Sequence, residues 1–202
     1  MELTAWLSLV SICILGAITP GPSLAVILKH TINGGRANGL CASITHGLAI
    51  AVYALLTVLG MAIIITNTPW LFNLIKYAGA AFLLFLAFKA LTAQAQNTTQ
   101  EQRLIPVTLW QSGREGFLIA FLNPKIALFF LALFSQFIDL NAGWQQKLIM
   151  VGTVSAIDTF WYCLIAVVLS RSGLLTSLRQ NSHIIDKITG IALLAVTVRV
   201  LI

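Results

Sequence analysis

The chain predicts an all-α polytopic membrane protein of six transmembrane helices, and three observations carry that prediction. Of its 202 residues, 58% are hydrophobic and only 9% charged, against about 25% charged in an ordinary soluble domain. Its mean hydropathy is +0.93. The apolar residues gather into six runs, near 3–28, 39–65, 69–92, 113–138, 146–169 and 184–202, each close to the ~20 residues a helix needs to cross a bilayer. All six belong to one domain, 1–202.

The first run starts Met1-Glu2-Leu3 without the basic segment of a signal peptide, and it is too long for one, so it reads as a span. Inside it stands Thr19-Pro20-Gly21-Pro22-Ser23. Each proline removes a backbone donor and clashes with the preceding turn, at ~3 kcal/mol or more in a helix interior. Broken backbone at membrane depth is tolerated only where protein or a water-filled cavity satisfies the freed groups. Freed carbonyls attract an ammonium, and the amides of Gly21 and Ser23 attract a carboxylate, so the stretch is suited to a zwitterion. The structural alternative is a kink that only shapes packing.

Lys29 to Asn38, with His30, Gly34, Gly35 and Arg36, reads as the first connection. In the second span, His46 within Ser43-Ile44-Thr45-His46-Gly47 is a candidate proton carrier, the plainer alternative being an imidazole bonded to a backbone carbonyl. Thr66-Asn67-Thr68-Pro69 is a tight turn. The third span carries Lys76, which, like Arg199 in the sixth, is expected to snorkel to the surface. A polar tract from Thr92 to Arg103 follows, then Pro106 and a short Val107–Trp110 patch expected to dock at the interface. Together they form one loop, about 93–112.

The fourth run is broken at Asn123-Pro124-Lys125, with the cation far from either end of its run. A charge there costs at least ~2.5–3.5 kcal/mol on insertion scales. In the fifth, Asp158 is the acidic residue nearest mid-span. Desolvation raises a carboxyl pKa and a nearby cation lowers it, so a carboxyl that alternates between wet and dry, paired and unpaired, can load and release a proton. Asp158 is therefore expected to couple transport to protons, with Lys125 as its partner and His46 as a further candidate. Purely structural pairing of Lys125 with a buried carboxylate is the alternative.

Net charge is +6, but the basic residues fall in short loops and form no stripe, which excludes a nucleic-acid partner and makes the charges orient the chain in lipid. Lys29, Arg36, Lys89, Arg103, Arg114, Arg171, Arg179 and Lys187 share one side, against Lys147 on the other. By the positive-inside rule that side is cytoplasmic and both termini face outward.

Three spans on each side of one long loop suggest two repeats, about 1–92 and about 113–202. Lys76, Gly79 and Ala81 recur at the same spacing as Lys187, Gly190 and Ala192. An odd number of spans per repeat makes the halves oppositely oriented, the plan of many secondary carriers, and the two broken spans, 1 and 4, then mark a shared binding site. Cys13, Cys41 and Cys163 form no CxxC and no metal-ligand spacing, so no cofactor or metal is expected. A membrane thiol-redox carrier would need a cysteine in the first span of each repeat, and span 4 has none. An enzyme is disfavoured by the absence of HExxH, GxSxG or paired intramembrane carboxylates. A small-ion exporter or channel is the remaining alternative.

Thr19-Pro20-Gly21-Pro22-Ser23, Gly34-Gly35-Arg36 with Gly39, His46-Gly47, Gly116-Phe117 leading to Asn123-Pro124-Lys125, and Asp158 ahead of Trp161 together resemble the LysE/RhtB family of amino-acid exporters. The resemblance covers nearly the whole chain. It implies a multi-pass protein of the bacterial cytoplasmic (inner) membrane that exports amino acids or close derivatives, driven by proton antiport. Its partners are then the amino acid, the lipid bilayer and, as an open option, a second copy of the chain.

Overall fold

The structure, a computed structural model, describes residues 2–19, 21–92, 106–138 and 143–169 with positions 187, 191 and 194. Over these it holds six α-helices and no strand: α1 (Leu3–Ile18), α2 (Pro22–Asn67), α3 (Pro69–Leu91), α4 (Leu109–Phe121), α5 (Pro124–Phe137) and α6 (Trp144–Leu169). Pro20, the polar tract through residue 105 and nearly all of the expected sixth span lie outside the described residues.

Proline decides where helices begin. The residues Pro22, Pro69 and Pro124 each open a helix, the position where the missing N–H has no partner to lose and φ is already set. Around the two expected interruptions, α1 stops at Ile18 and α2 starts at Pro22, and α4 stops at Phe121 and α5 starts at Pro124.

The expected loop Lys29–Asn38 is instead helical, apart from Gly35 at φ 76°, ψ −173°. That backbone region is essentially reserved for glycine. Nothing else in the stretch interrupts the helix, and several of its buried polar groups find partners, Thr31 Oγ1 donating to the Ile27 carbonyl at 2.7 Å. Gly35 divides α2 into arms 22–34 and 36–67, about 20 and 48 Å long at the α-helical rise. A second difference concerns the Val107–Trp110 patch, whose last two residues form the first turn of α4, capped by Thr108 Oγ1 accepting from the Gln111 N–H.

By length and composition, 22–61 and 144–168 can each cross a membrane, and α4 with α5, bent by 52°, makes a third such unit; 3–18 and 69–85 are shorter apolar helices. The outward faces are apolar: Leu48, Leu56, Phe85, Phe88 and Phe160 are all exposed. Trp70, Trp110 and Trp144 are exposed in the first turns of α3, α4 and α6, as aromatic residues at a lipid–water boundary are. Inside, Leu9, Ile12, Leu83, Leu133, Phe134 and Met150 form the main core.

Small residues set the tightest seams, since helices in lipid associate by close packing. A side chain on Gly47 of α2 would overlap the Thr159 hydroxyl of α6, and one on Gly116 of α4 would overlap the Ala42 carbonyl of α2. Gly79 of α3 brings the site of its missing Cβ to 2.8 Å from Ala132 Cα of α5.

Candidate functional site

At the first break Thr19 closes α1, its N–H and its hydroxyl both donating to the Leu15 carbonyl, at 3.1 and 2.7 Å. Gly21 is extended and serves as the cap residue of α2, Pro22 is the first helical residue, and Ser23 follows with its side chain buried. The amino end of α2, with its unpaired amides and the positive end of its dipole, thus opens onto the interruption.

The second break is built in the same way. Asn123 caps α5, its Oδ1 accepting from the Lys125 N–H at 3.0 Å. This fixes the first turn of α5 so that the exposed Lys125 side chain reaches the other interruption. Its Nζ lies 4.0 Å from the point where a side chain on Gly21 would begin. Two helix starts and one ammonium therefore converge, with glycine leaving the approach open.

Behind Ser23 lies a line of buried polar groups between α2 and α6. The Tyr162 phenol meets the Ser23 side chain, and its ring packs edge-on against His46 with centroids 4.8 Å apart. His46 Nδ1 is 2.7 Å from Asp158 Oδ2. The pair is buried, His46 1% and Asp158 14% exposed. His46 Nε2 has no hydrogen-bond partner among the described residues. The thiols of Cys13 on α1 and Cys163 on α6 are within electrostatic range of the Asp158 carboxylate. Among the described residues no group of three or more His, Cys, Asp or Glu is placed to hold a metal ion.

The two breaks expected from the sequence are thus brought together through Gly21 and Lys125. The carboxylate of Asp158 is bonded to His46, where the sequence expectation paired it with Lys125. The reason is local: His46 precedes Gly47 and Asp158 precedes Thr159, and Gly47 packs tightly against Thr159. His46 is bonded to a carboxylate, not to a backbone carbonyl. Tyr162 was missed as a site residue; its spacing of four from Asp158 puts both on one face of α6, a signal present in the sequence.

The family model described as LysE type translocator matches residues 14–202. The chain is 24% identical over 196 residues to the uncharacterized membrane protein YrhP of Bacillus subtilis (strain 168), covering 93% of each. It is 31% identical over 125 residues to the leucine efflux proteins of Salmonella choleraesuis (strain SC-B67) and Salmonella typhimurium (strain LT2), a match spanning 62% of this chain and 59% of each of theirs. No solved structure matches.

Proposed function

We propose that this chain, which belongs to the LysE type translocator family, exports amino acids or close derivatives by proton antiport, holding the substrate between its two interrupted spans. It is a membrane transporter and not an enzyme. The similarity to leucine efflux proteins supports an amino acid as the solute. The observation that carries the site assignment is the convergence of the amino ends of α2 and α5 with the Lys125 ammonium, 4.0 Å from the start of any side chain on Gly21.

The chemistry suits a zwitterion. A substrate carboxylate is attracted by the two helix starts and by Lys125, while an ammonium is attracted by the negative, carbonyl ends of α1 and α4 at the same interruptions. Thr19, Pro20, Gly21, Pro22, Ser23, Asn123, Pro124 and Lys125 form the binding set in this reading. Asp158 with His46 carries the proton. A carboxylate and an imidazole 2.7 Å apart share protons according to how far water reaches them, so a change from one open side to the other changes their occupancy. Tyr162, touching Ser23 and His46, joins the binding set to the proton pair.

In this reading the protein sits in the bacterial cytoplasmic membrane with both termini outside, its halves forming an inverted repeat that rocks about the central chamber. The test is counterflow of a panel of amino acids in proteoliposomes, with and without an imposed pH gradient, for the wild type and Lys125→Gln. Expected are saturable exchange of at least one amino acid, accumulation driven by the pH gradient, and loss of exchange in the variant. No exchange of any amino acid overturns the substrate class; exchange indifferent to the gradient overturns antiport; undiminished exchange by Lys125→Gln overturns the site.

A further inference from the structure

Tyr53 and Tyr162 stand 109 positions apart, close to the 111 that separate Lys76 from Lys187, and the register of the helices shows where they lie. Residue numbers rise along arm 36–67 of α2 as they fall along α6: the site of the missing Cβ on Gly39 is 3.0 Å from Ala166 Cβ, and Gly47 meets Thr159. The same arm runs beside α4 in one direction, Asn38 Nδ2 donating to Ser112 Oγ at 2.9 Å and Gly116 packing on Ala42. At that spacing Phe121, the last residue of α4, comes level with Gly47. Arm 22–34 folds back at Gly35, Thr31 lying against Gly39, and follows α4 the other way. There His30 Nε2 is 3.0 Å from Glu115 Oε2, to which Lys29 Nζ donates at 2.8 Å. Seven residues back along the arm and seven on along α4, Ser23 comes level with Leu122.

The two interruptions and the His46–Asp158 pair thus share one level, and the tyrosines stand on opposite sides of it. Tyr53 lies seven residues past His46 toward Asn67, ~10 Å at the helical rise, and Tyr162 lies four past Asp158 along the antiparallel α6, ~6 Å the other way. Each touches an interrupted span from the far half of the chain. Tyr162 meets Ser23 while its ring packs on His46, and Tyr53 packs on Phe121 and Phe130 with ring centroids 5.9 and 6.4 Å away. Their cover differs: Tyr162 is buried, whereas Tyr53 is half-buried.

We propose that Tyr53 and Tyr162 are the two gates of the central chamber, one on each side of the solute, that they open in turn, and that the Tyr162 gate is the one shut in this structure. The inference rests on the chamber of the exporter reading and adds which side chains close it. A tyrosine ring covers a wide opening and, with two torsions to fix, loses little entropy when it is held there. An edge-on ring contact shifts an equilibrium by about two- to tenfold, enough to hold a gate and little enough to release it. The Tyr162 hydroxyl adds a bond to Ser23, the residue after Pro22, so shutting this gate also fixes the start of α2.

The test is thiol accessibility in a Cys13→Ala, Cys41→Ala, Cys163→Ala background. Tyr53→Cys and Tyr162→Cys are labelled singly with a membrane-impermeant thiol reagent, in spheroplasts where it meets the outer face and in inverted vesicles where it meets the inner one. Position 53 is expected to label from the outer face alone and position 162 from the inner face alone. Labelling of both from one face, or of neither in chains that fold, overturns the gates; the reversed pattern supports them and overturns the orientation with both termini outside. A second arm puts the reporter in the chamber, as Thr19→Cys, and adds Tyr162→Phe, which deletes only the hydroxyl bonded to Ser23. Loss of that bond shifts the opening of its side by about two- to tenfold, so inner-face labelling of position 19 is expected to quicken by that factor without a rise from the outer face. An unchanged inner rate, or an equal rise from both faces, overturns the gate, and this arm decides where Tyr162→Cys does not fold. No solute enters either arm, so a failure here is distinct from a failure of amino-acid counterflow.

Discussion

Replacing Asp158 by Asn removes the charge from the His46 pair with little change of shape, and the structure sets the size of the effect. The bond is 2.7 Å long and both side chains are largely buried. A hydrogen bond to a charged group contributes about 1.5–3 kcal/mol and a neutral one about 0.5–1.5. Because the amide oxygen of Asn can still accept from Nδ1, Asp158→Asn should cost the difference, about 1 kcal/mol. Asp158→Ala leaves His46 facing an unfilled, unpaired site and should cost about 3–5 kcal/mol, as removal of one partner from a buried pair does. The assay has two arms: thermal unfolding of the purified variants, and solute accumulation by proteoliposomes under an imposed pH gradient. Asp158→Asn is expected to fold and to lose gradient-driven accumulation. If it accumulates solute like the wild type, Asp158 is not the coupling group; if it is destabilised as much as Asp158→Ala, the bond to His46 is not what holds the site.

Tyr162→Phe deletes only the hydroxyl that meets Ser23, and it should reduce gradient-driven accumulation while lowering stability by about 1 kcal/mol, seen by comparing flux with unfolding midpoint. Gly47→Ala drives a methyl into Thr159 and should destabilise by about 1–3 kcal/mol; Thr159→Ala in the same chain should restore part of the loss. Gly35→Ala should cost about 1–3 kcal/mol because φ 76° is strained for any side chain, although open space surrounds the position. A thermal midpoint for Gly35→Ala equal to wild type would show that the bend has moved elsewhere.

What could be read from the chain alone was what proline and charge write locally. Pro22 and Pro124 announce helix starts because a missing N–H is tolerated at few other places, and Lys125 and Asp158 stand out because lipid makes each expensive. The partner of Asp158 was not legible. His46 lies 112 positions away, and their meeting depends on which faces of α2 and α6 pack, with Gly47 set against Thr159. The connection at Lys29–Asn38 was misread for a related reason: its polar residues suggest a loop, yet their bonds are to α4, and tertiary partners let the helix continue to either side of Gly35. Glu115 drew no notice in sequence, since one carboxylate beside an arginine looks like any solvated pair until His30 and Lys29 are folded against it.

The arm 22–34 is a helical rod between two breaks in regular helix, one before Pro22 and the other at Gly35. Ser23 and His30 stand seven residues apart along it, about 10 Å, and two helical turns place them on nearly the same side. A tilt of the arm at its Ser23 end would therefore be delivered, as through a lever, to the junction with α4.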